Sequence, residues 1–352
     1  MLPLSVLDQS IATAGQPHGK AIQDTLALAR HCEALGYARF WVSEHHSHPT
    51  ILGTAPEILI AAIAATTEHI RVGSAGVMLP HYSPFKVAEQ FRVLDAIAPG
   101  RIDLGLGRAP GSDGRTAFAL NPLANERPAQ FPADVRDLQA WLSGEPLIDK
   151  HPFASVKAYP QGDTVPEMWI LGSSNYGAQV AAHFGLPYCF AWFFTDGRGA
   201  AEAIDIYQSS YQPSERHPEP HAGLCVWALA AESDEVAQHH FTSRAVWRLF
   251  RDRGQFTTIE PPETAAAHTL NATEAANLAR QRKDAFVGTK DKVAGRITEL
   301  ANQMGVQEIA VVTWTYDEAI RRQSYALLAD AFDMQGAEIG TGDNPDLSRA
   351  AG

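Results

Sequence analysis

The chain has 352 residues, with 28 Lys and Arg against 40 Asp and Glu, and a formal net charge of −12 with histidine neutral. That balance argues against a phosphate-tracking nucleic-acid surface, and the longest apolar run, residues 58–65, is far short of the roughly 18 residues of a membrane span. With 45% hydrophobic and 19% charged residues the chain is globular, and its length allows several ordinary domains or one α/β barrel with roughly 100 residues over.

Hydrophobic periodicity gives the elements in chain order. Residues 4–7 read as a first strand. A helix follows with Ile22, Leu26, Ala29, Cys32 and Leu35 on one face, stopped by Gly36. Residues 39–42 form a second strand and a helix starts at Pro56. Residues 70–77 form a third strand. Ser83-Pro84 then opens a helix that carries Val87, Phe91, Leu94 and Ala98 and ends at Pro99-Gly100. A fourth strand covers 101–106, followed by a loop-rich stretch and a helix over 132–142. Strands at 168–171, 188–191 and 223–230 alternate with helices at 177–184 and 200–211. A mostly helical insertion runs to Val287. A helix over 290–304, a strand over 308–313 and a last helix with Ile320, Leu327, Leu328, Ala331 and Phe332 complete the pattern.

Eight strand–helix units predict parallel pairing, right-handed crossovers and a closed (β/α)8 TIM barrel. The expected domain is one barrel over 1–336, with insertions after strands 4 and 7 at about 109–166 and 231–287, and a flexible tail over 337–352. The N-terminus lacks a basic region and a cleavage site, so no signal peptide is expected. Cys32, Cys189 and Cys225 form no CxxC and read as free buried thiols of a reducing cytoplasm.

A barrel does its chemistry at the C-terminal ends of its strands. Those ends present Asp8 and Gln9, then Glu44-His45-His46 and His48, then His81, then Arg108, then Ser173, Ser174, Tyr176 and Gly177, then Trp192, Phe193 and Phe194, and finally Trp314. Arg108 is a forked cation, and Ser173 and Ser174 precede a helix start, so adjacent strand ends can grip one phosphate. Gly105-x-Gly107 fails as a dinucleotide fingerprint, because the third glycine comes late and no helix follows. The histidine cluster allows either a metal site or neutral imidazole acid–base work. Few further ligands stand at the other strand ends, which weakens the metal reading.

At this point the chain resembles the bacterial-luciferase-like flavin monooxygenases over nearly its whole length. The resemblance rests on Trp41-Val42-Ser43-Glu44-His45-His46, Val72-Gly73-Ser74-Ala75-Gly76-Val77-Met78-Leu79-Pro80 and Ala88-Glu89-Gln90-Phe91. Pro99-Gly100-Arg101-Ile102-Asp103-Leu104-Gly105-Leu106-Gly107-Arg108 carries it most specifically, and Val287-Gly288-Thr289, read as opening a helix, also fits. The resemblance implies FMN at the strand C-termini, used reduced with O2 and often supplied by a separate NAD(P)H:flavin reductase. It places phosphate contacts at Arg108 and Ser174, a non-prolyl cis peptide at Ala75-Gly76, and the family's active-site histidine at His45. Three departures stand out: Gly107 replaces the luciferase cysteine, Gly177 replaces the phosphate-loop threonine, and Trp192-Phe193 replaces a Ser-His pair found in close relatives.

The expected function is a monooxygenase that oxidises a small, apolar organic substrate through a flavin C4a-(hydro)peroxide. His45, Glu44 and His46 are its candidate catalytic residues. Asp8, Ala75, Gly76, Arg108, Ser173, Ser174, Tyr176 and Gly177 are the candidate cofactor contacts. Trp41, Trp192, Phe193, Phe194 and Trp314 form the candidate substrate wall. The competing readings are a non-catalytic FMN-binding barrel, deazaflavin-dependent hydride transfer and a metal-dependent hydrolase. Residues 250–277, with Gly254 and Pro261-Pro262, read as a mobile lid, and the alanine-rich helix over 56–67 predicts a homodimer.

Overall fold

The computed structural model describes residues 2–109, 111–124 and 126–336. The expected tail over 337–352 lies outside the described residues. Nine parallel strands appear among the described residues: β1 (Leu4–Asp8), β2 (Arg39–Val42), β3 (Arg71–Met78), β4 (Ile102–Gly107), β5 (Glu167–Gly172), β6 (Tyr188–Phe190), β7 (Ala222–Ala231), β8 (Phe286–Thr289) and β9 (Glu308–Val312). Eight of them close a barrel in the order β1-β2-β3-β4-β5-β6-β7-β9, with β9 returning to β1. The fold is a (β/α)8 TIM barrel.

The crossovers carry α1 (His18–Ala34), α2 (Pro56–Ala64), α3 (Pro84–Ile97), α4 (Gly114–Leu120), α5 (Phe131–Ser143), α6 (Asn175–His183), α7 (Trp192–Thr195) and α8 (Ala200–Ser209). Then come α9 (Asp234–Asp252), α10 (Pro262–Ala266), α11 (Ala272–Asp284), α12 (Lys290–Met304) and α13 (Glu318–Ala331). Helix starts follow local chemistry. Asp113 accepts from the N–H groups of Arg115 and Thr116 at α4, and Asn271 and Glu274 form a reciprocal capping box at α11.

The period-2 alternation of the strands sorts side chains into two layers. Leu4, Val6, Phe40, Val42, Leu104 and Val311 point outward into the core beneath the helices. Leu7, Trp41, Trp169, Cys225 and Ala310 point into the barrel lumen. Burying each large outer side chain is worth roughly 1.5–3 kcal/mol.

One element departs from the sequence expectation. Residues 287–289 belong to a strand, β8, rather than to a helix start. β7 is ten residues long and wholly buried. Its first half pairs β9 in the barrel, and its overhang, Ala228 to Ala231, pairs β8 outside it. A buried overhang leaves backbone groups that need partners, and β8 supplies them.

The N-terminal mouth of the barrel is plugged by charge. Arg39 donates to Asp103 through two 3.0 Å contacts, to Glu167 at 2.6 Å and to Glu308 at 3.0 Å. Asp103 also takes Arg71 Nε at 2.8 Å and the Trp41 indole N–H at 2.9 Å. Glu308 accepts from the Ser5 hydroxyl at 2.5 Å and lies 3.1 Å from His221 Nε2.

The segment 250–277, the expected lid, meets the barrel at residues 257–259. The N–H of Ile259 donates to the Ala12 carbonyl at 2.9 Å, and the N–H of Ala14 donates to the Ile259 carbonyl at 2.8 Å. Trp247 Nε1 holds the Thr257 carbonyl at 2.9 Å, and Ile259 is fully buried.

Candidate active site

At the opposite mouth a cavity of about 530 Å³ opens among the C-terminal ends of the strands, within the usual range for a small-molecule or cofactor site. Its floor is apolar: Leu7, Trp41, Leu171, Cys189 and Cys225 line it. Burial pushes both thiols up, so they stay protonated. Trp41 joins the two mouths, since its ring faces the cavity while its N–H reaches down to Asp103.

β3 is interrupted where it meets this cavity. Its register against β4 shifts between Ser74 and Val77, and the Ala75–Gly76 peptide there is cis. Both residues line the cavity. Their backbone presses against β4, so that a Cβ on Gly76 would lie 2.7 Å from the Gly105 carbonyl oxygen. Only glycine allows that approach.

The end of β4 and the start of α6 build a corner suited to an anion. Arg108 lies over the Tyr176 ring, 4.1 Å from its centroid, and has no ion-pair partner among the described residues. Ser174 is the N-cap of α6, yet its hydroxyl makes no capping hydrogen bond. Ser173 and Ser174 are exposed to the cavity and Gly177 lines it. A guanidinium and the free N–H groups of a helix start are donors only, and two hydroxyls beside them can donate as well, which is the chemistry that receives a phosphate.

The histidine cluster separates in three directions. His45 lines the cavity, with its backbone N–H on the Gly53 carbonyl at 2.9 Å and its enclosed Nδ1 without a partner. Burial, with His48 and His46 adding repulsion, lowers its pKa to about 4, so the ring is neutral near pH 7. His46 turns away to Glu44, 2.7 Å from its Oε1. His48 Nδ1 accepts from the N–H groups of Thr50 and Ile51 at 3.1 Å each. No three metal-ligating side chains converge among the described residues.

Glu44 and His46 therefore sit behind the cavity instead of lining it. Glu44 is fully buried and accepts from His46, from the Tyr82 hydroxyl at 2.6 Å and from the N–H of Met78 at 2.9 Å. It clamps the ends of β2 and β3 together. Asp8 is also outside the cavity: it points toward the helices, where it accepts from Thr25 at 3.0 Å and faces Arg321 at 3.4 Å. Leu7 and Gln9 point inward instead, as the alternation of β1 requires.

Of the aromatic wall, Trp41, Phe193 and Phe194 line the cavity, and the last two stack with centroids 4.5 Å apart. Trp314 does not line it. Its ring packs 4.7 Å from Trp247 of α9. Trp192 faces a neighbouring cavity shared with α9 and α11. The cavity also includes Gln9, Met78, Cys189 and Cys225, which the sequence reading did not select.

Known proteins resemble this one over the same span. The family model for luciferase-like monooxygenases matches residues 4–308. The protein YwcH of Bacillus subtilis (strain 168) is 41% identical, covering 94% of this chain and 99% of its own. An N-acetyl-S-alkylcysteine monooxygenase of the same organism is 35% identical over 94% of this chain and 98% of its own. Among solved structures, apo-MsnO8 matches with a TM-score of 0.86 and 35% identity, covering 95% of this chain and 99% of that one.

Proposed function

The chain belongs to the luciferase-like monooxygenase family and is an oxidoreductase, and from that premise we propose that it uses reduced FMN and O2 to oxidise a small, largely apolar organic substrate. One observation carries the reading. A donor-rich anion corner at Arg108, Ser173 and Ser174, the Ala75–Gly76 backbone and the neutral imidazole of His45 all face one cavity.

The residues fit the group they would hold. Arg108, braced by Tyr176, and the α6 N-terminus would take the FMN phosphate. The close packing of Gly76 on Gly105 makes the Ala75–Gly76 backbone itself part of the cavity wall, a surface against which a flat ring would lie. Reduced FMN, when bound, supplies the electrons that activate O2. Trp41, Phe193 and Phe194 keep water from the reacting face. His45 holds or moves a proton at its unpartnered Nδ1, and Glu44, acting through the β2 and β3 ends, keeps it in place.

The partner supplying reduced flavin would be a separate NAD(P)H:flavin reductase, and the setting a reducing cytoplasm. A homodimer through α2 and α3 would cover Ile58, Val93 and Ile97, which are 66%, 47% and 49% exposed. Light scattering showing a monomer would remove that part of the proposal. The central test is a spectroscopic titration with FMN and FMNH2, followed by O2 consumption with a reductase and a substrate panel. FMN binding with substrate-dependent O2 uptake supports the reading. A protein that takes up neither flavin form overturns it.

A further inference from the structure

Beside the cavity just described lies a smaller one of about 280 Å³, between the barrel wall and the helical insertion. Four guanidinium groups line it, those of Arg244, Arg248, Arg280 and Arg296, against the carboxylates of Asp196 and Asp284. A chain of net charge −12 has gathered an excess of positive charge here.

Three of the four cations are accounted for. Arg248 makes a two-pronged pair with Asp196 at 2.7 and 2.6 Å. Arg296 donates to the carbonyls of Ala285 and Asp284, and Arg280 contacts the Asn277 amide oxygen at 3.4 Å. Arg244 is different. It is 9% exposed and makes no hydrogen bond or ion pair with any described residue. Its guanidinium lies over the Trp227 ring, 4.5 Å from the centroid. A cation–π contact returns only a fraction of what it costs to take a cation out of water. Burial, with Arg248 adding repulsion, pulls the Arg244 pKa below its ordinary value. Such a site is incomplete without a counter-charge.

The neighbouring polar atoms point to the same ligand. Trp227 Nε1 is a buried N–H donor without a partner. Gln281 Oε1 is also unpartnered, but it is an acceptor, with the amide Nε2 committed to the Ala245 carbonyl at 3.5 Å. The unmet donors are the Arg244 guanidinium and the Trp227 N–H, one beside the other, and that pair calls for an acceptor-only group. Asp196 and Asp284 flank the site, so a single negative charge suits it better than two. Phe193 lines both this cavity and the larger one. Trp192 is held in the wall because its ring lies against Gly197, whose φ is +79° and where a Cβ would collide with that ring.

We propose that this cavity binds a carboxylate of the substrate, with Arg244 and the Trp227 N–H as its donors, while the body of the molecule passes Phe193 into the larger cavity. The inference rests on the reading that the larger cavity holds the flavin. It makes the substrate class an organic acid with an apolar body.

The test uses 4-phenylbutyrate and its methyl ester, titrated by calorimetry into the FMN-saturated protein. The acid is expected to bind at least about tenfold tighter than the ester, as for a charge-assisted hydrogen bond. Arg244→Met should remove that preference while leaving FMN affinity unchanged. Trp227→Phe keeps the aromatic face and should reduce the preference several-fold, which covers the case in which Arg244→Met does not fold. Arg108→Met should weaken FMN and leave the acid-to-ester ratio intact. Failure of the acid to bind, equal binding of acid and ester, or an Arg244→Met protein that keeps the preference overturns the proposal. A protein that distinguishes acid from ester yet takes up no FMN overturns the flavin reading and leaves the carboxylate site standing.

Discussion

The two mouths of the barrel are built from similar residue types and treat them in opposite ways. At the N-terminal mouth Arg39 faces three carboxylates, and Asp103, itself fully buried, answers two arginines and an indole. At the C-terminal mouth Arg108 has no carboxylate partner among the described residues, the Ser174 hydroxyl caps nothing, and His45 Nδ1 is unpartnered. Paired charge holds a structure together, and unpaired donors wait for a ligand. The difference assigns stability to one end and chemistry to the other, and each prediction below tests that division.

The largest effect is expected at the paired end. Replacing Asp103 by Ala leaves Arg39 and Arg71 short of a buried counter-charge and Trp41 without an acceptor. A loss of about 3–5 kcal/mol follows from breaking a buried pair on one side, read by urea unfolding. A variant with unchanged stability would dissolve the comparison. At the other end His45→Ala should cut substrate turnover by about 10²–10⁴ and leave both unfolding and FMN affinity nearly unchanged. Turnover equal to the native protein would remove His45 from the chemistry.

Much of this architecture was legible in the sequence, and each miss has a physical cause. The eight βα units were readable because each strand is a short apolar run between turn signals. The extra strand β8 was not, because Phe286-Val287-Gly288-Thr289 pairs only with the overhang of β7 and its four residues carry no period of their own. At the site, residue type marks the chemistry-bearing positions at strand ends, but the strand's alternation decides which of them face the cavity. Leu7 and Gln9 alternate with Asp8, so if Leu7 faces the lumen, Asp8 must face the helices. The same parity on β5 and β6 would have drawn in Leu171 and Cys189. Trp314 follows the lumen parity of β9, yet α9 from the insertion reaches over to pack on it, and no local pattern reports a contact with a helix some 70 residues earlier. Arg108, Ser174 and the Ala75–Gly76 pair were legible because backbone geometry and strand-end position, rather than facing direction, decide them.

Arg108→Met sharpens the comparison from the binding side. The variant keeps a long apolar stem on Tyr176 but loses the charge. FMN affinity should fall about 10–100-fold, the range for losing charge-assisted hydrogen bonds to a phosphate. Stability of the flavin-free protein should not fall, because no carboxylate among the described residues is left unpaired. Fluorescence titration and unfolding of the same preparation check both halves. A destabilised Arg108→Met protein would mean that the mouth relies on this cation structurally, as the opposite mouth relies on Arg39.

The smallest effect separates the two ends by pH. His45 has an ordinary pKa of 6.5, lowered to about 4 in the fold by burial. The unfolded chain therefore binds the extra proton first, and stability is lost as pH falls from about 6.5 toward 4. Glu167 behaves differently. Burial would raise it, but Arg39 and Arg71 outweigh burial and lower it from 4.5 to about 2. Its contribution is complete above about 4.5 and is lost as pH falls toward 2. Acid should thus weaken the C-terminal mouth before the N-terminal plug. At pH 5.5 a His45→Gln variant, which has no proton to take up, should retain on the order of 1–2 kcal/mol that the native protein loses relative to pH 7.5. A Glu167→Gln variant should show the native pH dependence over that same interval and diverge only below pH 4.5. If the two variants respond to acid in the same window, the mouths are not separate electrostatic units and the plug is coupled to the cavity, most directly through Trp41.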